Sequence, residues 1–276
     1  MMKKIFLILI FLLSISLAAA TYITITTTIS SQVILDNSTT LHVSLKQSGD
    51  EAAYDVNVEP LATQYFSSED ILNKDKLNPG ETLSGNMTLS FLGTLPGKYP
   101  LVVLTIYHDA NMYPFSTLSP HILTYKKGYP SGIYGSINQI EISKDGSGYI
   151  TLSLRNLDET THTINIKLYL PRELNAGETE KIISLGPKEE KELKYKISSM
   201  GALPGSTYSI LASLEYEENG YHYGTFASGL VKIVEKKEVF GLSQWWIGIV
   251  VVILITIFVI YQFWSWKNEK KKKRKK

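Results

Sequence analysis

One short pattern occurs twice in the chain: residues 91–101 read FLGTLPGKYPL and residues 199–210 read SMGALPGSTYSI. Both pass through Gly, a small residue and then Leu-Pro-Gly, and the two tripeptides lie 108 positions apart. Under the same shift Tyr113 meets Tyr221. A fixed internal shift of this kind predicts two copies of one domain.

Within each copy, apolar residues recur at every second position. Leu41, Val43 and Leu45 alternate with polar side chains, and Ile164 and Ile166 do the same in the second copy. This is the period of a strand with one buried face. Turn clusters such as QSGDE, LNPGE and ENG separate the strands, and Leu-Pro-Gly is expected to start a late hairpin, with Gly in the turn position. The pattern predicts an all-β chain of two antiparallel sandwiches.

Each end of the chain has a composition of its own. Residues 1–20 combine two lysines, an apolar run and three closing alanines, which predicts a secretory signal peptide cleaved before Thr21. Residues 245–266 carry no charge over 22 positions, and such a run makes about 33 Å of helix, enough to cross a bilayer. A buried helix of a soluble protein is the alternative, but core helices rarely run this long without a polar break.

The flanks of the predicted membrane helix indicate its orientation. Residues 267–276 hold eight basic residues and one acidic residue, so the positive-inside rule places this polybasic tail in the cytoplasm. The tail is also expected to contact anionic lipid. Tryptophans at both ends should lie at the two headgroup layers: Trp245, Trp246, Trp264 and Trp266. We therefore predict a single-pass type I protein of the cell membrane, with its N-terminal domains outside the cell.

The exported part of the chain is acidic. Ten of the 28 basic residues lie in the signal peptide and the tail, whereas 25 of the 26 acidic residues lie between them, so this part carries a net charge of about −7. Phosphate binding needs a basic surface, so we expect no nucleic-acid partner. The chain has no cysteine, which excludes disulfides, thiol catalysis and cysteine metal ligands.

The repeat divides the exported part into two domains. We predict domain 1 over residues 21–127 and domain 2 over residues 128–237. The linker KKGYPSG, residues 126–132, is short. It suggests domains that stand end to end, with domain 1 farther from the membrane.

The order of these motifs resembles a known module. The succession L-x-V-x-L, V-x-V, L-x-P-G-E and L-P-G-x-Y-x-L-x-V is similar to the immunoglobulin-like modules of archaeal and bacterial surface proteins, of the cell-adhesion-related and S-layer-associated type. The second copy departs from the pattern where Gly80-Glu81 becomes Lys188-Glu189. The resemblance implies binding or spacer units that carry no catalytic residues.

Motifs for catalysis or metal binding are weak. The stretch SKDGSGYITLSL, residues 143–154, is similar to a calcium loop, but Asp145 is its only carboxylate, so a hairpin turn is the better interpretation. The five histidines lack the spacing of a metalloprotease motif. We predict that the chain is not an enzyme and has no catalytic, cofactor or metal site.

Aromatic hairpins and sequons supply the candidate site residues. YHDANMYPF (107–115) and YEENGYHYGTF (216–226) occupy equivalent places in the two copies. Aromatic side chains serve both core packing and recognition, so the hairpins either pack in the core or form a ligand surface. The loop 67–76 is a second candidate for a ligand surface. The candidate residues of the hairpins are Tyr107, Tyr113, Tyr216, Tyr221 and Tyr223. The sequons at Asn37 and Asn86 are candidate N-glycosylation sites of a glycoprotein.

Two functions fit these observations. The first is a membrane-anchored cell-surface protein whose immunoglobulin-like domains bind or space a protein or an envelope polymer. The second is the accessory ectodomain of a membrane transporter or translocon complex.

The predicted topology can be tested with protease added to intact cells. The protease should remove residues 21–237 and leave a small anchored fragment, because only the tail is expected to lie in the cytoplasm. Immunoblotting against the two ends of the chain measures this. An ectodomain that survives treatment of accessible cells would contradict the topology.

Overall fold

The structure is a computed structural model that describes residues 22–235. The predicted signal peptide, membrane helix and flanking tryptophans lie outside this range. Within it, every helix or strand assigned is a β-strand, which confirms the all-β prediction. None of the described residues forms a helix that could cross a membrane. Tyr22 through Val234 belong to one compact unit.

Eight strands form the first half of this unit. They are β1 (Ile25–Ser31), β2 (Ser38–Gln47), β3 (Ala53–Pro60), β4 (Phe66–Ser67), β5 (Leu72–Leu77), β6 (Thr82–Phe91), β7 (Gly97–His108) and β8 (Pro114–Tyr125).

Nine strands form the second half. They are β9 (Ile133–Ile137), β10 (Ile140–Ser143), β11 (Ser147–Asn156), β12 (His162–Tyr169), β13 (Leu174–Ala176), β14 (Glu180–Leu185), β15 (Glu190–Ser199), β16 (Thr207–Glu218) and β17 (Tyr221–Val234). Strands β5 and β6 recur as β14 and β15 at a shift of 108 positions, and β2 recurs as β11 at a shift of 109. The repeat seen in the sequence is therefore a repeat of strands.

Both halves are immunoglobulin-like β-sandwiches. In the first half, the sheet β1-β2-β6-β4 faces the strands β5-β3-β7-β8; in the second, β9-β11-β15-β13 faces β14-β12-β16-β17. In the first half, β1, β2 and β6 share one sheet and β3, β7 and β8 share the other. Their counterparts in the second half are β9, β11 and β15 in one sheet and β12, β16 and β17 in the other. Immunoglobulin domains divide strands A, B and E from strands C, F and G in the same way. Each half has its own buried apolar core, and β10 adds to the second half by pairing in parallel with β17.

The two Leu-Pro-Gly segments have different roles. Gly205 has φ +89°, the left-handed conformation expected of a turn glycine. Gly97 has no positive φ, but a Cβ added to it would lie 2.0 Å from the carbonyl oxygen of His222 in the other half. The hydroxyl of Tyr99 donates a 2.6 Å hydrogen bond to the carbonyl oxygen of Leu95, a tyrosine corner of the kind found in immunoglobulin-like domains.

A third apolar cluster joins the two sandwiches. Val102 and Leu104 alternate along β7 with residues of the first core, so their side chains leave the opposite face of the sheet. There they pack with Tyr169 and Leu211 of the second half. Strand β7 is consequently buried on both faces, which accounts for its continuous apolar run.

Equivalent strands of the two halves run in opposite directions. Gly97 in β7 and His222 in β17 are partners in a parallel bridge, whereas β7 runs antiparallel to β8, the counterpart of β17. The unit therefore has a linker end, where residues 126–132 cross between the halves, and a terminal end, where both Tyr22 and Val234 lie. The expectation of end-to-end domains is wrong, because the apolar outer face of β7 is covered by the second half.

Alanine at Gly97 should destabilise the junction of the halves. The added methyl group would meet backbone atoms of His222 and force the strands apart, at a cost of about 1–3 kcal/mol. Gly177→Ala is the matched control, because its added Cβ has nothing within 4 Å. Urea unfolding of the full chain in detergent measures both variants. Equal midpoints for Gly97→Ala and Gly177→Ala would contradict the role given to Gly97.

Candidate functional site

The first aromatic hairpin packs against the second half at the terminal end. Tyr107 is buried, and its ring stacks on Phe115 with a centroid distance of 5.6 Å. The Tyr113 hydroxyl donates a 3.0 Å hydrogen bond to the carbonyl oxygen of Gly201. Tyr107 therefore offers little area to a ligand, and Tyr113 holds the hairpin to the other half.

The second aromatic hairpin lies at the linker end. Tyr216 is buried, and its hydroxyl oxygen accepts a 2.9 Å hydrogen bond from the backbone N–H of Gly132. Tyr223 stacks on Tyr216 at 4.8 Å, and Tyr221 meets Tyr129 edge to face at 4.9 Å. The rings of Tyr129, Tyr221 and Tyr223 are each partly exposed. We call these three residues the tyrosine surface.

Charges of opposite sign lie beside the tyrosine surface. The Lys127 ammonium is 4.9 Å from the ring centroid of Tyr129, and its hydrogen bond lowers the pKa of that phenol. Tyr223 has a raised pKa, first because of burial and then because of the nearby Glu218 carboxylate. The Asp158 carboxylate adds to this effect. The tyrosine surface thus combines aromatic area, phenol groups, one cation and two carboxylates, which suits recognition of a polar partner.

The histidine of this region is held by carboxylates. His162 is buried, and its Nε2 lies 2.9 Å from Asp158 Oδ2 and 3.4 Å from the Thr160 hydroxyl. His162 Nδ1 lies 3.9 Å from Glu218 Oε2, which is beyond hydrogen-bond distance. The shorter contacts are thus both made by Nε2, whereas a nucleophile–histidine–carboxylate triad uses the two nitrogens separately. Among residues 22–235, no group of three His, Asp or Glu side chains could hold a metal ion. Asp145 lies in a turn between β10 and β11, which belong to different sheets, so the expected hairpin is absent there.

The two predicted sequons are both exposed in the first half. Asn37 is exposed just before β2, and Asn86 is exposed in β6. Asn86 Oδ1 is 2.9 Å from His42 Nδ1, and this contact uses the side-chain oxygen of Asn86 and not the amide nitrogen, which is the atom that carries an N-glycan. A polar cavity of about 630 Å³ lies beside them. Glycosylation at both asparagines stays a prediction.

A groove of about 780 Å³ crosses the terminal end between the halves. Ser116 forms part of its lining, and its hydroxyl donates a 2.6 Å hydrogen bond to Glu173 Oε2 of the second half. Burial raises the pKa of the Glu173 carboxyl, and this outweighs the lowering by the Ser116 hydrogen bond. Burial raises the pKa of the Tyr107 and Tyr208 phenols, and the nearby Glu173 carboxylate raises it further.

Sequence reasoning selected some of these residues and missed others. It selected Tyr221 and Tyr223 from the aromatic excess, and the structure places both at the linker end. It missed Tyr129 and Lys127, which were assigned only to a linker. An aromatic ring inside a short linker was the available signal, because a linker that does nothing but connect is usually small and polar.

Comparisons with known proteins give remote likenesses only. No family model and no curated protein matches the chain. Native E. coli alpha-2-macroglobulin is 13% identical with a TM-score of 0.31, and methylamine-reacted Salmonella alpha-2-macroglobulin is 13% identical with a TM-score of 0.34. Red sea bream transglutaminase is 10% identical with a TM-score of 0.28. At these values the likenesses say nothing of function.

The chain is much shorter than these structures. The matches cover 76, 76 and 79% of this chain but 17, 16 and 32% of the respective known chains. Their activities and partners are therefore properties of much larger proteins.

Stability should depend on pH through Glu173. Because the pKa of Glu173 is raised in the folded chain, folding favours the protonated carboxyl. This contribution to stability is fully present below the ordinary glutamate pKa of about 4.3, and it is lost as the pH rises through the raised pKa of the folded chain. Arg172 is the cation that opposes this shift. Glu173→Gln keeps an acceptor for Ser116 but cannot ionise. Its stability relative to the wild type should rise between pH 4 and pH 7, measured by urea unfolding of the full chain; parallel pH profiles would refute the argument.

Proposed function

We propose that the chain is a membrane-anchored cell-surface binding protein whose tyrosine surface contacts a protein or an envelope polymer outside the cell. The observation that carries the proposal is the position of that surface. Tyr129 from the linker and Tyr221 from the β16–β17 hairpin meet at the linker end, and Val234 leaves the fold at the opposite end. The tyrosine surface therefore lies at the end of the described fold that is remote from Val234, the residue after which the chain continues toward the predicted helix.

The packing of the halves favours binding over spacing. A spacer gains reach when its domains stand end to end, but these halves lie side by side and share the apolar cluster around Leu104 and Leu211. Their antiparallel arrangement makes the unit shorter than an end-to-end pair, and the shared apolar cluster supports the linker end from both halves. The cell-adhesion-related and S-layer-associated modules that the motifs resemble suggest the same class of function, with no catalytic step.

Site-specific photo-crosslinking tests this proposal. A photoreactive residue at Tyr221 of the full chain, expressed in its own cells, should form a defined adduct. The same residue at Ile182, which is 73% exposed on edge strand β14, should form none. Tyr129→Ala combined with Tyr223→Ala should reduce capture by more than tenfold and leave the chain folded, because both rings are partly exposed.

A replacement of the predicted helix separates the two candidate functions. Capture at Tyr221 should survive when residues 245–266 are replaced by an unrelated neutral anchor. An adduct that is as strong at Ile182 as at Tyr221 would contradict the proposal. An adduct that needs the native helix would also contradict it, and would support the accessory subunit of a transporter or translocon instead.

A further inference from the structure

Each half has one exposed methionine at the terminal end. Met112 is 59% exposed in the turn between β7 and β8, and Met200 is 62% exposed between β15 and β16. The hydrogen bond from the Tyr113 hydroxyl to Gly201 O joins the residues that follow each methionine. Each half thus presents one exposed apolar side chain at the terminal end.

Met112 is an unexpected residue for its backbone. It has φ +62°, a left-handed conformation that favours Gly, Asn and Asp. The equivalent position in the second half is Gly220, with φ +76°, in a turn at the linker end. The same hairpin therefore carries glycine at one end of the molecule and an exposed methionine at the other. Residues that oppose their local preference are expected at functional or strained sites.

The path of the chain indicates what these methionines meet. Ile233, at the end of β17, accepts a 2.8 Å hydrogen bond from the Gly205 N–H, close to Met200 in the sequence. The predicted membrane helix starts at Trp245, and the ten residues 235–244 can reach at most about 35 Å when fully extended. The terminal end is therefore tethered within that distance of the bilayer. This step rests on the membrane attachment in the proposed function.

We propose that the terminal end rests on the bilayer, with Met112 and Met200 inserted at the boundary between headgroups and acyl chains. Methionine is unbranched, flexible and apolar, which suits a disordered lipid surface. Tyr22, 58% exposed at the same end, is of the residue type that favours the headgroup layer. The nearby Asp109 carboxylate accepts hydrogen bonds of 2.8 Å from the backbone N–H groups of Asn111 and Tyr113, so its charge is directed into the turn.

Single cysteines can test this contact, because the chain has none of its own. Met112→Cys and Met200→Cys are introduced separately into the full chain, labelled with a small environment-sensitive fluorophore and reconstituted in phosphatidylcholine vesicles. Leu92→Cys is the matched control: it is the counterpart of Met200 in the first half, is 65% exposed and lies at the linker end. Brominated phosphatidylcholine then reports contact with acyl chains by quenching.

We expect brominated lipid to quench the labels at positions 112 and 200 at least twofold and to leave the label at position 92 unchanged. Unquenched labels at 112 and 200 in a chain that floats with the vesicles would overturn the proposal, as would equal quenching at all three positions. A blue-shifted but unquenched label would mean that protein covers the methionines, which also overturns it. A chain that fails to float would remove the premise of membrane attachment, whereas crosslinking at Tyr221 tests partner binding independently.

Discussion

The ring of Tyr99 links the corner of the first sandwich, its core and the second sandwich. Its hydroxyl closes the corner on Leu95, its edge meets Phe91 in the first core, and its face stacks on the buried His222 at a centroid distance of 4.0 Å with the planes 1° apart. His222 Nε2 lies in turn 3.1 Å from Glu215. Because one buried ring serves all three contacts, the halves cannot separate without exposing a core residue.

The parts of the fold that depend on local pattern could be predicted from the sequence. The alternation of Leu41, Val43 and Leu45 predicts a strand because the period of two is a property of the extended backbone itself. The shift of 108 positions predicts a duplication because the same residues recur at equivalent places of two copies. These arguments involve neighbours in the chain and need no knowledge of the partner that each face meets.

The arrangement of the halves could not be predicted in that way. The apolar run from Leu101 to Leu104 indicates a strand buried on both faces, but it does not identify what covers the outer face. A seven-residue linker permits an extended pair of domains and a folded-back pair alike. The same limit applies to the candidate site: alternation shows that half of the hairpin tyrosines face a core, but the approach of Tyr129 to Tyr221 depends on how the linker crosses.

Strand β17 has a mechanical consequence for a protein that is held at one end and loaded at the other. It runs from Tyr221 at the linker end to Val234 at the terminal end and pairs with β16 from Thr207 to Glu218. A pull on Tyr221 against an anchor beyond Val234 would be carried by the covalent backbone of β17, because both points of attachment lie on this one strand. The hydrogen bonds to β16 and the whole first sandwich would lie beside this line of force and would bear little of it.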